Sequence, residues 1–216
     1  MPTRRLSRHR PRSLRAAAVL SLLVAPGLAA QRPFTAGAYA GQSAPLLPLT
    51  LVTAEPPLRD GAAWAPYRDR AVALRWADSL VAAVLRERAP EVTWIVPDSL
   101  RKVARRNTPM LKPPDEIGHV ALRGWKQEVA EPVRAYLRSY TVFLNCRYVM
   151  APVQLVFREV KPEQEAPGDV VEAGLLLAWV DSRSGTIRWR ETFSARGASP
   201  AAALLAALGA AFPLPG

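Results

Sequence analysis

Residues 170–193 read VVEAGLLLAWVDSRSGTIRWRETF, and the alternation in this stretch decides the fold. In its first arm Ala173, Leu175, Leu177 and Trp179 share one face, and Gly174, Leu176, Ala178 and Val180 share the other. Both faces are apolar, the pattern of a central strand covered on both sides. In the second arm Ile187, Trp189 and Phe193 alternate with Thr186, Arg188, Arg190 and Thr192, as in a strand with one buried and one wetted face. Between the arms lies Asp181-Ser182-Arg183-Ser184-Gly185, a turn in which Gly185 is free to take positive φ. The spacing predicts a hairpin with its first arm interior to a sheet. It carries no catalytic group in a recognisable setting.

Upstream, a strand is expected over 147–157 (RYVMAPVQLVF), with Val149, Ala151, Val153, Leu155 and Phe157 on one face and Pro152 marking an edge or a bulge. A helix is expected before it, with Pro132 at its first position and an apolar face of Val133, Tyr136, Leu137, Tyr140, Phe143 and Leu144. Further back come a strand at 46–53, a strong helix at 68–88, a strand at 92–96 and a short helix from Pro97 to about Arg106. Residues 107–124, rich in proline and glycine, read as a long loop with a helical turn at 114–120. Residues 161–169 read as a charged turn. Downstream, an alanine-rich helix over 199–212 is capped by Ser199, with Pro200 at its first position. The expectation is a single α/β domain over 46–212 with element order β-α-β-α-α-β-β-β-α. It has a five-stranded mixed sheet with helices packed mainly on one face. A flexible segment at 31–45 precedes it and a short tail at 213–216 follows.

Residues 1–30 read as a secretory signal peptide. Six arginines and no acid precede the apolar run 16–25, and Gly27, Ala29 and Ala30 supply small residues at the exit. The run is too short for a permanent membrane anchor. Arg4-Arg5 fits a twin-arginine signal only loosely. The chain carries 29 basic and 18 acidic residues, a net +11. Without the leader, 23 basic residues face 18 acidic ones, a net +5 over 186 residues. That balance does not call for a nucleic-acid partner. Cys146 is the lone cysteine, so no internal disulfide forms, and its apolar neighbours suit a small buried hydrophobe.

Arg101, Lys102, Arg105 and Arg106 fall on one side of the 97–106 helix, the densest basic patch after the leader. Such a face is ordinarily solvated, and its alternative use is to hold an anionic partner. Trp76, Trp94, Trp179 and Trp189 fall on inner faces. Trp64 and Trp125 sit by proline-rich connections, where a buried anchor and an exposed contact residue are both open. Enzymatic chemistry has little support. His119 is the one histidine after the leader, which rules out zinc sites built on paired histidines. No nucleophile elbow, Walker loop or dinucleotide fingerprint occurs, and no cofactor is implied. The carboxylates Asp115, Glu116, Glu128, Glu131, Asp169 and Glu172 lie in loops and at helix starts, where solvated or capping acids are usual.

Asp181, Ser184-Gly185, Ile187 and Trp189 carry a family resemblance. A strand ending in Asp-x-x-[Ser/Thr]-Gly, a next strand with an aliphatic residue before Trp, and a closing helix recur in bacterial envelope proteins. The order of elements over 46–212 resembles the small α/β domain of the curli secretion lipoprotein, the penicillin-binding-protein activator lipoproteins and the Tol translocation protein's amino-terminal domain. The likeness implies a non-catalytic periplasmic module that binds an envelope partner; with the leader and the basic face, the expectation is a periplasmic or secreted module for an envelope protein or an anionic envelope component. Its motif is structural and assigns no binding residue. The anchoring cysteine of those lipoproteins has no counterpart here. Arg101, Lys102, Arg105, Arg106 and Trp125 are the candidate partner-binding residues. The alternative reading is an envelope-directed hydrolase using carboxylates of 107–131.

Overall fold

A computed structural model describes residues 31–160 and 170–214. The expected leader 1–30, the turn 161–169 with Asp169, and the last two residues of the tail lie outside the described residues. The strands are β1 (Ser43–Pro45), β2 (Val52–Ala54), β3 (Thr93–Ile95), β4 (Tyr148–Glu159), β5 (Val171–Asp181) and β6 (Thr186–Gly197). The helices are α1 (Pro56–Asp60), α2 (Arg70–Arg88), α3 (Pro97–Arg106), α4 (Val133–Phe143) and α5 (Pro200–Ala211).

The fold is α/β with mixed pairing, but the expected five-stranded sheet is two sheets. β1 pairs with β3 in parallel, and a four-stranded sheet runs β2-β4-β5-β6, parallel between β2 and β4 and antiparallel beyond. The cause lies in residues 46–51, expected as the body of one strand. Pro48 has no N–H to give, and the Leu49 N–H donates at 2.7 Å to the Asp78 carboxylate on α2 instead of to a ladder. The chain therefore crosses from one sheet to the other. The Leu46 N–H bonds Ile95 O and the Leu47 N–H bonds Met150 O, each at 2.9 Å.

β5 lies between β4 and β6, as its two apolar faces require. Val171, Ala173, Leu175, Leu177 and Trp179 join one core with α2, α5 and Trp64. Ala178 and Val180 join a second core with Leu100 and Ala104 of α3 and Val133, Leu137 and Tyr140 of α4. Helices thus cover both faces, which corrects the expected one-sided packing; a strand apolar on both sides demands two layers. Asp69 caps α2, accepting from Val72 N at 3.0 Å, and Ser199 caps α5, accepting from Ala202 N at 3.2 Å. α4 starts one residue later than expected, with Pro132 at its cap position.

Two bulges overturn the simple alternation read from sequence. In β4 the register shifts between Pro152 and Gln154. Val149, Ala151 and Val153 consequently face the second core, while Leu155 and Phe157 face the first. Pro152 therefore marks a bulge. In β6, Trp189 pairs with Trp179 and Ile187 with Val180, so Arg188 is the extra residue. Ile187 enters the second core and Phe193 the first, not one common face.

In the segment 31–45, expected to be flexible, Phe34, Ala44 and Pro45 are buried. Phe34 is 6% exposed and meets Trp179, Trp189 and Phe212 edge-on, with ring centroids 5.1–5.8 Å apart. Its N–H bonds Ala211 O at 2.9 Å, so the ordered core begins ahead of Leu46.

Candidate functional site

The long connection after α3 is held down at several points. It makes two 3-10 turns, Pro114–Glu116 and His119–Arg123, and Leu111, Ile117 and Leu122 enter the second core. Gly118, at φ +78°, supplies the left-handed residue between the turns. Further on, the chain is sewn to the edge of β6. Ile187 N bonds Gln127 O and Val129 N bonds Gly185 O, each at 2.8 Å. The Arg190 guanidinium donates to Lys126 O at 2.8 Å. His119 is fully buried, and neither ring nitrogen has a well-aligned partner among the described residues. Burial lowers its pKa to about 4, outweighing the nearby carbonyls of Pro48 and Pro152 and the charge of Asp115. Neutral and sealed away, it is out of reach of a substrate.

The basic patch divides. Arg101 is turned inward, with its guanidinium 2.8 Å from Asp78, 2.7 Å from Asp115 and 3.1 Å from Asp98. It clasps α3 to α2 and to the loop. Hydrogen bonding to Asp115 raises Arg101 above its ordinary pKa; burial opposes this, and Asp78 adds to the rise. Burial pushes Asp78 up to about 6, although the Leu49 N–H and Arg101 both favour its charged form. Lys102, Arg105 and Arg106 remain exposed, without ion pairs among the described residues. The missed partner, Asp78, was visible as an acid beside Ala77 and Val81 on the inner face of α2.

The acids of 107–131 do not converge. Asp115 binds Arg101, Glu116 lies 3.5 Å from Lys112, and Glu131 accepts the Ala135 N–H at 3.2 Å in the first turn of α4. Glu128 and Glu131 share a cavity. Glu172, outside this region, pairs with Arg158 and Arg196. Cys146 is half-buried, and burial pushes its thiol up to about 11, so it is not a thiolate at neutral pH.

The loop and α4 together do shape a surface. A groove of about 710 Å³ runs between Met110-Leu111 and α4, over Ala135 and Ser139, with Val142 and Phe143 at one end and Arg134 and Arg138 along it. A second hollow of about 530 Å³ lies beside Trp125, floored by Ile117, Leu122, Val129, Val133 and Ile187. Glu131 lines both. Large apolar groups stand open here: Met110 is 70% exposed, Trp125 84%, Val142 74% and Phe143 43%. Trp64, the other undecided tryptophan, is buried. Phe143 was expected on the inner face of α4, but the helix ends at this residue and the chain leaves through Asn145, at φ +50°. Val142 falls off the 133/137/140 stripe, and that was the available signal.

This arrangement defines a mixed α/β domain whose accessible features are apolar grooves flanked by cations. Among the described residues, no group of three or more histidines, cysteines and acids is placed to hold a metal, and no helix is long and apolar enough to cross a membrane. No protein-family model and no curated protein sequence matches the chain. Among solved structures it is similar to the PelC dodecamer of Paraburkholderia phytofirmans, at 14% identity and TM-score 0.36, covering 84% of this chain and 89% of that one. It is also similar to the LpoB C-terminal domain of Salmonella enterica (13%, TM-score 0.39, covering 72% and 83%). A third similar structure is the lipoprotein GNA1162 of Neisseria meningitidis (15%, TM-score 0.36, covering 72% and 82%). Identities and scores this low leave the reading of function to the site itself.

Proposed function

We propose that this chain is an exported, non-catalytic interaction module of the cell envelope that docks a partner protein on the surface built by α4 and the loop before it. The observation that carries the reading is the cluster of open apolar groups, Met110, Trp125, Val142 and Phe143, around two adjoining hollows. Isolated apolar side chains on a surface are ordinary, but several that line concave walls are typical of contact surfaces. Trp125 belongs to this surface, with Lys102, Arg105 and Arg106 on the neighbouring helix, whereas Arg101 serves the fold. Export rests on the pattern of residues 1–30, and the domain follows from residue 31 onward. The hydrolase alternative draws on the two acids that share a hollow, Glu128 and Glu131, one of which already caps a helix.

A photo-crosslinking residue at Ser139, in the groove, and another at Thr192, exposed on β6, test the reading in the native envelope. A protein adduct at position 139 and none at 192 is expected. No adduct at either position, together with an envelope-degrading activity lost in the Glu128→Gln/Glu131→Gln double variant, would favour the hydrolase. Intact mass of the recovered protein checks export: residues 1–30 should be missing, and a full-length mass with Met1 retained refutes it.

A further inference from the structure

We infer that the α4 groove takes an acidic amphipathic segment of a partner protein, seating its apolar side chains between Met110 and Val142 and its carboxylates on Arg134, Arg138 and Arg183. This rests on the interaction-module reading. The charge argument comes first. Arg134, Arg138 and Arg183 have no ion pair among the described residues. Arg138 and Arg183 border a further hollow that adjoins the groove through Val142. The one acid on the groove, Glu131, already accepts the Ala135 N–H. The rim is therefore cationic and its charge is not met from within, so a complementary partner brings carboxylates.

Shape decides between an inserted segment and a lipid surface. The apolar groups line a concavity of about 710 Å³, within the range that receives inserted groups, whereas a bilayer is engaged by apolar residues that protrude. Along α4 the open positions Ala135, Ser139 and Val142 fall on one stripe of about two turns, roughly 10 Å long. A partner presenting apolar residues three and four apart matches that length, as in other helix-in-groove contacts. Ala135 and Ser139 keep the floor low.

The test uses the full chain and three labelled synthetic peptides that share one apolar helical face and differ only in carrying Glu, Gln or Lys on the polar face. Vesicles of anionic phosphatidylglycerol form a fourth arm. Fluorescence anisotropy should show the Glu peptide binding tightest, and weakening as salt rises. Val142→Asp and Arg138→Glu should each weaken it about tenfold, while Thr192→Glu, off the groove, leaves it unchanged. Arg138→Glu should also improve binding of the Lys peptide, an outcome that mere unfolding cannot produce. Equal binding of the three peptides, or indifference to Val142→Asp in a variant that melts normally, overturns the proposal. Vesicle binding that is lost in Val142→Asp, with no peptide bound, assigns the groove to lipid and overturns it too. Failure of the peptides alongside a protein adduct at position 139 refutes the acidic chemistry and leaves the module standing. Peptide binding without any adduct in the envelope does the reverse.

Discussion

The two faces of the four-stranded sheet are closed by different means. On one, α5 packs along β5 and β6 and α2 packs against α5, β2 and β3, and Phe34 fills the end of an aromatic cluster centred on Trp179. α5 lies so near the sheet that a Cβ at Gly197 would come within 2.7 Å of Ala203 N. On the other face, α3 and α4 share the work with a loop of short 3-10 turns. A loop of that kind inserts single anchors such as Leu111, Ile117 and Leu122 but presents no continuous stripe, so Met110, Trp125 and Val142 stay at its margins. The closed face supplies stability and the loop-built face supplies accessible surface, in keeping with binding sites carried on loops over a rigid scaffold.

Substitutions on the two faces should therefore differ most. Trp179→Ala removes the centre of the aromatic cluster and should lower unfolding free energy by about 4 kcal/mol, measured by chemical denaturation. A loss below about 1 kcal/mol would mean the closed face is not the stable one. Arg101→Ala, at the clasp between α2, α3 and the loop, leaves Asp78 buried without its guanidinium and should cost about 3 kcal/mol at pH 8. Asp98 adds little, being 80% exposed. Because burial already raises Asp78 to about 6, the penalty is carried by the charged form above that pKa and relieved as pH falls below it. The loss should therefore be smaller at pH 5 than at pH 8, and a pH-independent loss would refute this account.

Gly185 turns at φ +76° under Arg134, and an added Cβ would lie 2.9 Å from the Arg134 side chain. Gly185→Ala should lower stability by about 1–2 kcal/mol in thermal melts and disturb the arginine on the groove. At the same turn, burial works to raise the Asp181 carboxyl, but Arg147 and the N–H groups of Ser184 and Arg183 outweigh it and hold it below its ordinary value. Its contribution is present above the unfolded carboxylate pKa and is lost as pH falls through the lowered folded value. The gap in melting temperature between the parent and Asp181→Asn should thus be steady near neutrality and close in acid. A gap that widens in acid would reverse the sign and reject the assignment. The smallest effect is expected on the open face. Val142→Asp should change stability by no more than about 0.5 kcal/mol, and a larger loss would show that Val142 is part of a core.

Much of this organisation was legible because it is local. The doubled alternation of 173–180 marked β5 as interior, Pro97 marked the start of α3, and Ser199-Pro200 marked the start of α5. The site was less legible. Arg101 belongs by spacing to a basic face, yet its partners come from α2 and the loop, 23 and 14 residues away in the chain. Trp125 stood out because it lies in a loop, where burial and exposure were both open, and it is exposed. The α4 groove was missed because its far wall, Met110, comes from a separate segment.

The sequence by itself determined which segments pair within short range: the hairpin, the capped helices and the two-sided burial of β5. Those features follow from side-chain periodicity and from turn and capping chemistry within a few residues. Only the tertiary structure decided which face each side chain takes beyond a bulge, because one inserted residue exchanges the two faces of everything after it. That is why Leu155 parts from Val153, and Trp189 from Ile187, at Pro152 and Arg188. It also decided that Asp78 captures the Leu49 N–H and splits the expected single sheet in two, since a buried donor takes the partner that folding brings to it.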